Sequence, residues 1–389
     1  ASEFNDDSNE IFNLSKRHGK QLLFIFISSL IAFFLIIIDW KFFFSLSFII
    51  YALSIISLIL ILFIGKITNG SLSWFDFGSF RIQPSEFAKF ATSLALARYI
   101  NLFSIKKFNL SKTILCISII TIPLLLIIFQ NDTGTALIFL SFILVLYREG
   151  LTENILIFGL SVFVLTIMCL IIDFFILIIV LVIISCIIFY FLKKKKKNFI
   201  NIIILLFFCI AYSYFINYTV KNILPKHQSE RIMVVLGQKK DPHGIGYNVI
   251  QSKIAIGSGG LIGKGYLKGT QTRFDFVPEQ STDFIFCTIG EEWGFLGALI
   301  FICLYISLLL RVLFLSERQR SNFSRVYGYS VACILFFHFI INIGMTIGLF
   351  PVVGIPLPFI SYGGSSLISF TILLFVFLNL DSYRLQILR

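Results

Sequence analysis

The stretch VPEQSTDFIFCTIGEEWGFLGALIFICLYISLLL, residues 277–310, decides the fold. It is a long apolar run with a carboxylate, Asp283, at its mouth. Two more, Glu291 and Glu292, lie about two to three helical turns further in. A charge near the centre of a spanning helix costs roughly 2.5–3.5 kcal/mol on insertion scales, so such residues usually face the interior of a bundle and have a task there. The reading turns on whether the rest of the chain is also built for lipid.

Composition says that it is. The chain is 58% apolar with 47 Phe residues, and its mean hydropathy is +0.94. Runs of about 20 apolar residues are long enough to cross a hydrocarbon core of roughly 30 Å. Eleven such segments can be drawn, at 21–38, 43–64, 85–100, 113–130, 134–147, 154–172, 174–192, 199–217, 284–310, 326–347 and 365–380. The fold class is therefore all-α: one integral membrane domain over residues 1–389, a polytopic helical bundle with a long extracytoplasmic loop at 218–282.

The net charge of +12 does not point to nucleic acid, because of where it lies. Lys193–Lys197 separate two apolar runs, Lys106, Lys107 and Lys112 share a short loop, and Arg311, Arg318, Arg320 and Arg325 share another. Short loops rich in Lys and Arg mark the cytoplasmic face. With alternating sides, the loops at 101–112, 148–153, 311–325 and 381–389 join the Lys193 block inside. Outside fall residues 1–20, the 65–84 loop, the Asn131–Asp132 turn, residues 218–282 and the 348–364 connection. No signal-peptide pattern opens the chain. An odd number of spans with an outside start is expected of a chain lacking one earlier helix.

Metal and disulfide chemistry find no pattern. The seven Cys residues lie within apolar runs without a C-x-x-C pair, and the four His residues are scattered.

Candidate chemistry gathers on the outer side. In QPSEFAK, residues 83–89, Pro84 and Ser85 suit a helix start, and Glu86 and Lys89 then share a face at i,i+3. They form either a local ion pair or a Lys aimed at an anionic substrate with Glu86 orienting it. Asp132, in QNDTGTAL (130–137), is a helix cap or a site residue, and Asp283 is open to the same two readings. GSGGLIGKG, residues 257–265, departs from the Walker spacing, with five residues between Gly257 and Gly263. It reads as a plain turn or as a backbone cradle for a lipid pyrophosphate, after an amphipathic helix at 245–256 that lies along the membrane surface. The Pro- and Gly-rich FPVVGIPLPFISYGGSS, residues 350–366, cannot form a straight span. Together with Arg81 and Arg231, these residues predict one polar cavity opening outward; Ser361 joins the substrate-binding candidates.

The blocks GSFRIQPSEFAKF, QNDTGTAL, DPHGIGYNVIQSKIAIGSGGLIGKGYLKGTQT, FVPEQSTDFIFCTIGEEWG and PVVGIPLPFISYGGSS resemble the SEDS family (shape, elongation, division and sporulation), in its elongation branch. That resemblance implies a peptidoglycan glycosyltransferase of the bacterial cytoplasmic membrane. Such an enzyme joins lipid II units into glycan strands and releases undecaprenyl pyrophosphate. It implies Asp283 as the catalytic residue, a general base, with Arg81, Glu86, Lys89 and Asp132 at the substrate. No resident cofactor is required, with or without a divalent cation (magnesium or manganese). The partners implied are a class B penicillin-binding protein, which is a transpeptidase, and the cell-elongation complex. Ser281 stands where many relatives carry His, and the spans 174–192 and 199–217 are additions to the family pattern. A lipid II flippase and a non-catalytic scaffold are the alternatives.

Overall fold

A computed structural model describes residues 16–68, 70–78, 80–103, 110–191, 196–223, 233 and 245–385. All eleven apolar segments are helical. Among the described residues, nine helices are long and apolar enough to span a bilayer. These include α1 (Arg17–Ile37), α2 (Trp40–Ile64) and α4 (Leu110–Phe129). The other two segments are α3 (Pro84–Phe103) and a broken pair, α5 (Thr133–Phe139) and α6 (Phe142–Arg148).

The described residues group into two compact units. One holds α7 (Glu153–Ile171), α8 (Phe174–Phe191) and α9 (Lys196–Tyr218). Few of its side chains are buried, as suits lipid. A narrow polar seam joins α7 to α9: the Thr166 and Tyr212 hydroxyls lie 2.7 Å apart, and Cys169 Sγ donates to Ser213 Oγ at 3.3 Å.

The other unit holds the remaining helices. Besides α1 to α6, these are α10 (Ile245–Ser258), which passes into it at residue 248, the short α11 (Thr270–Arg273), α12 (Ile285–Glu317), α13 (Asn322–Thr346) and α14 (Gly364–Ser382). Its core forms around α3, α13 and α14, where small residues let backbones approach closely. Ala88, Ala91, Ala95 and Ala97 are buried on α3. On α13, a Cβ at Gly328 would come within 2.2 Å of Ser316 Oγ.

Polar groups close the helix ends. Buried Asn379 donates to the carbonyls of Leu35, Ile36 and Ile38, completing the end of α1. At that same end Arg325 pairs with Glu149, Arg148 with Glu317 and Arg318 with Asp381. Arg318 and Arg325, two charges of the basic 311–325 loop, are thus partly neutralised.

The outer connections are structured. Strands β1 (Lys66–Thr68), β2 (Ser71–Asp76) and β3 (Arg81–Ile82) form an antiparallel meander, with Phe75 opposite Ile82 and Asp76 opposite Arg81. The Leu72 amide donates to the Gln130 carbonyl at 2.9 Å, tying the meander to the α4–α5 turn. On α10, Val249, Ser252 and Ala255 face inward while Ile250 and Ile254 are exposed, the amphipathic pattern expected of 245–256. The 350–363 connection is irregular, as its prolines require.

Candidate active site

Asp283 lies at the last turn before α12 and is half-buried. Its backbone is held from α13: Asn342 Nδ2 donates to the Asp283 carbonyl at 2.8 Å and to the Ile355 carbonyl at 2.7 Å. The irregular segment therefore runs beside the carboxylate. A Cβ placed on Gly354, whose φ is 70°, would stand 3.4 Å from Asp283 Oδ2. Glycine leaves open the space beside that oxygen and supplies the left-handed backbone. Arg17 Nη1 donates to Ser281 Oγ at 3.1 Å, which puts a guanidinium two residues from Asp283.

Lys89 lies elsewhere. Its ammonium is 1% exposed and donates to Glu86 Oε2 and to His338 Nε2, each at 2.8 Å. It also lies 4.7 Å from the centroid of Phe370. Lysine is only a donor, so His338 Nε2 must accept, and the ring proton sits on Nδ1. Nδ1 then donates to the Pro356 carbonyl at 3.1 Å. Glu86, Lys89 and His338 thus form a buried relay ending on the same segment that flanks Asp283. The Glu86–Lys89 ion pair is made locally, and the Lys89 ammonium is turned to Glu86 and His338.

Three other candidates are also placed. Asp132 caps α5, accepting from the Thr135 amide at 3.0 Å, and takes Gln83 Nε2 at 2.8 Å and Ser85 Oγ at 3.2 Å. Its carboxylate caps α5 and knits it to α3. Ser361 is buried; its hydroxyl donates to the Thr282 carbonyl and accepts from the Leu357 amide at 2.8 Å. The hydroxyl is thus engaged by backbone on both sides. Arg81 is exposed on β3, 3.7 Å from Asp76 Oδ2, and its carbonyl accepts from Ser365 Oγ at 2.8 Å. Asp76 is held below the usual carboxylate range by its hydrogen bond from Lys66, then by the Gly78 amide. Arg231 lies outside the described residues.

The candidates around the irregular segment fall in two layers. A buried layer holds Glu86, Lys89 and His338, and an outer layer holds Asp283 with Arg17 beside it. Residues 354–357 pass between them.

Glu291 answers the question raised by the opening stretch. It is fully buried and accepts from Lys264 Nζ at 2.8 Å and from the Gln271 and Thr272 amides at 2.9 Å. Two amides of the glycine loop 257–265 are spent on α12: Lys264 N and Gly265 N donate to the Glu291 and Glu292 carbonyls. His338, Asn342 and Arg17 were missed in sequence. The signal for the first two was a pair of polar residues at i,i+4 in an apolar helix.

Comparison with known proteins agrees with this architecture. The family model described as a cell cycle protein (FtsW, RodA, SpoVE) matches residues 4–177 and 161–386. The peptidoglycan glycosyltransferase MrdB of Escherichia coli strain K12 is 37% identical over 319 residues, covering 82% of this chain and 73% of that protein. The peptidoglycan glycosyltransferase RodA of Treponema pallidum is 30% identical over 384 residues, covering 91% and 87%. Among solved structures, one of a peptidoglycan synthase complex that coordinates polymerization and crosslinking matches with a TM-score of 0.71 at 26% identity, covering 95% of this chain and 90% of that one. The rod shape determining protein RodA of Thermus thermophilus matches in fold with a TM-score of 0.62 at 23% identity, covering 97% and 92%.

Proposed function

The chain belongs to the SEDS family of multi-pass membrane proteins, and from that premise we propose that it polymerises lipid II into glycan strands at the outer face of the cytoplasmic membrane. The chain is a peptidoglycan glycosyltransferase like its curated relatives. The observation that carries the mechanism is the setting of Asp283: a half-buried carboxylate with its backbone clamped by Asn342 and its Oδ2 beside a glycine.

Asp283 takes the proton of the acceptor sugar's 4-hydroxyl as that oxygen bonds to the anomeric carbon of the donor. The bond from that carbon to the pyrophosphate breaks, releasing undecaprenyl pyrophosphate. General-base assistance of this kind contributes about 10²–10⁴ in rate. The departing negative charge needs cations at the outer layer. Arg17, next to Ser281, and exposed Arg81 fill that need; buried Lys89 acts at one remove, by holding Pro356 through His338. Among the described residues no three His, Cys, Asp or Glu side chains converge. A magnesium or manganese ion would then rest on one carboxylate, the substrate phosphates and water.

The structural likeness to a synthase complex supports a transpeptidase partner, a class B penicillin-binding protein within the cell-elongation machinery. The test is polymerisation of lipid II by the purified chain with that partner. Glycan product is expected. Transbilayer movement of lipid II without product would make it a flippase, and neither activity would make it a scaffold.

A further inference from the structure

Helix α12 is interrupted at Gly294, with φ 65° and ψ −163°. In an unbroken helix the amides of Phe295 and Leu296 would bond the carbonyls of Glu291 and Glu292. Here they donate instead to the carbonyls of Gly260, at 2.9 Å, and Leu261, at 3.1 Å. The two freed helix carbonyls accept from Lys264 N at 3.0 Å and Gly265 N at 2.9 Å. Two bonds within the helix have become four between helix and loop. Only glycines permit this approach. A Cβ on Gly263 would lie 2.2 Å from the Glu292 carbonyl oxygen, and one on Gly294 would lie 2.3 Å from Gly263 N.

The Glu291 side chain closes the same seam from inside. Its Oε1 accepts from Lys264 Nζ, Thr270 Oγ1 and the Gln271 amide, and its Oε2 from the Thr272 amide. A buried carboxylate so fully hydrogen-bonded is a rigid anchor. From there the connection runs to Asp283. The Thr272 carbonyl accepts from Gln280 Nε2 at 2.7 Å, and Gln280 stands three residues before Asp283. On the other side, α12 starts at Ile285. Both ends of the stretch bearing Asp283 are thus tied to α12, one covalently and the other through Glu291.

We propose that Glu291 is a positioning residue for the reaction at Asp283: its buried carboxylate locks the 259–273 loop into the break of α12 and so fixes the carboxylate that accepts the proton. The proposal rests on the polymerase reading. The Glu291 side chain binds no substrate group, so its loss lowers turnover and leaves substrate affinity intact.

The test uses the full chain with its transpeptidase partner, comparing wild type, Glu291→Gln and Lys264→Met. Two readouts are taken on each: amide hydrogen exchange, and polymerisation rate against lipid II concentration. In Glu291→Gln the amides of Lys264, Gly265, Phe295 and Leu296 lose protection while those of α13 keep it. Its kcat falls about 10- to 100-fold, as a misplacement of about 1 Å can produce, and its KM stays within about twofold. Lys264→Met removes two contacts, to Glu291 Oε1 and Thr270 Oγ1, from a side chain 26% exposed, so it keeps the fold and moves both readouts in the same direction by less. It carries the test should Glu291→Gln fail to fold. Unchanged protection, or lost protection with wild-type kcat, overturns the proposal. A wild-type protein that makes no polymer fails the polymerase reading as well, which separates that outcome from failure of the positioning claim alone.

Discussion

Lys89→Met isolates what the buried lysine does. The substitution keeps most of the side-chain volume and removes the charge, leaving the 2% exposed Glu86 carboxylate without its partner. Removing one member of a buried ion pair costs about 3–5 kcal/mol, because the remaining charge stays desolvated. His338 Nε2 also loses its donor, and an orphaned buried acceptor costs about 1–3 kcal/mol. In the double variant Glu86→Leu, Lys89→Met, the first cost disappears, since apolar replacement of a whole buried pair is often neutral. Only the orphaned His338 acceptor remains, at about 1–3 kcal/mol. The double variant is therefore expected to melt at a higher temperature than the single one. It is also expected to regain part of the polymerase activity lost in Lys89→Met. Thermal melts of the detergent-purified protein and lipid II polymerisation at saturating substrate measure both. A double variant that melts like wild type yet is as inactive as Lys89→Met would refute the reasoning and return Lys89 to direct contact with the pyrophosphate.

Three further outcomes follow from the same geometry. Asn342→Leu leaves the Asp283 and Ile355 carbonyls unpaired, so steady-state kinetics should show a fall in kcat of about tenfold or more with KM little changed. Ser361→Ala strips a partner from the Thr282 carbonyl and the Leu357 amide; a lower melting temperature, from a loss of about 1–3 kcal/mol, should accompany an unchanged KM for lipid II. Arg17→Ala and Arg81→Ala each remove an outer cation, and the salt dependence of the polymerisation rate should flatten in either variant.

Much of the fold was legible because lipid imposes simple rules. The eleven apolar runs, the Pro84 helix start, the Asp132 cap and the broken 350–363 segment each follow from local chemistry. The site was legible only in part. Glu86 and Lys89 were readable as a pair by their spacing, but their third member, His338, stands 249 residues further along in an apolar helix. Nothing local shows that its ring meets Lys89 on one side and Pro356 on the other. Ser361 was readable as a site candidate within the irregular block, but not that its hydroxyl is taken by backbone from two segments. The glycine loop looked like an anion cradle for the same reason that it is a helix plug. Glycines allow close backbone approach, and only the tertiary fold decides to what.

The account is tested most directly by the rate of glycan synthesis from lipid II by Asp283→Asn, purified with the transpeptidase partner and compared with wild type at matched melting temperature. An amide preserves the shape of the carboxylate but is a far weaker proton acceptor, so the rate should drop by about 10²-fold or more with the complex intact. Polymerisation near the wild-type rate would contradict the role given to Asp283.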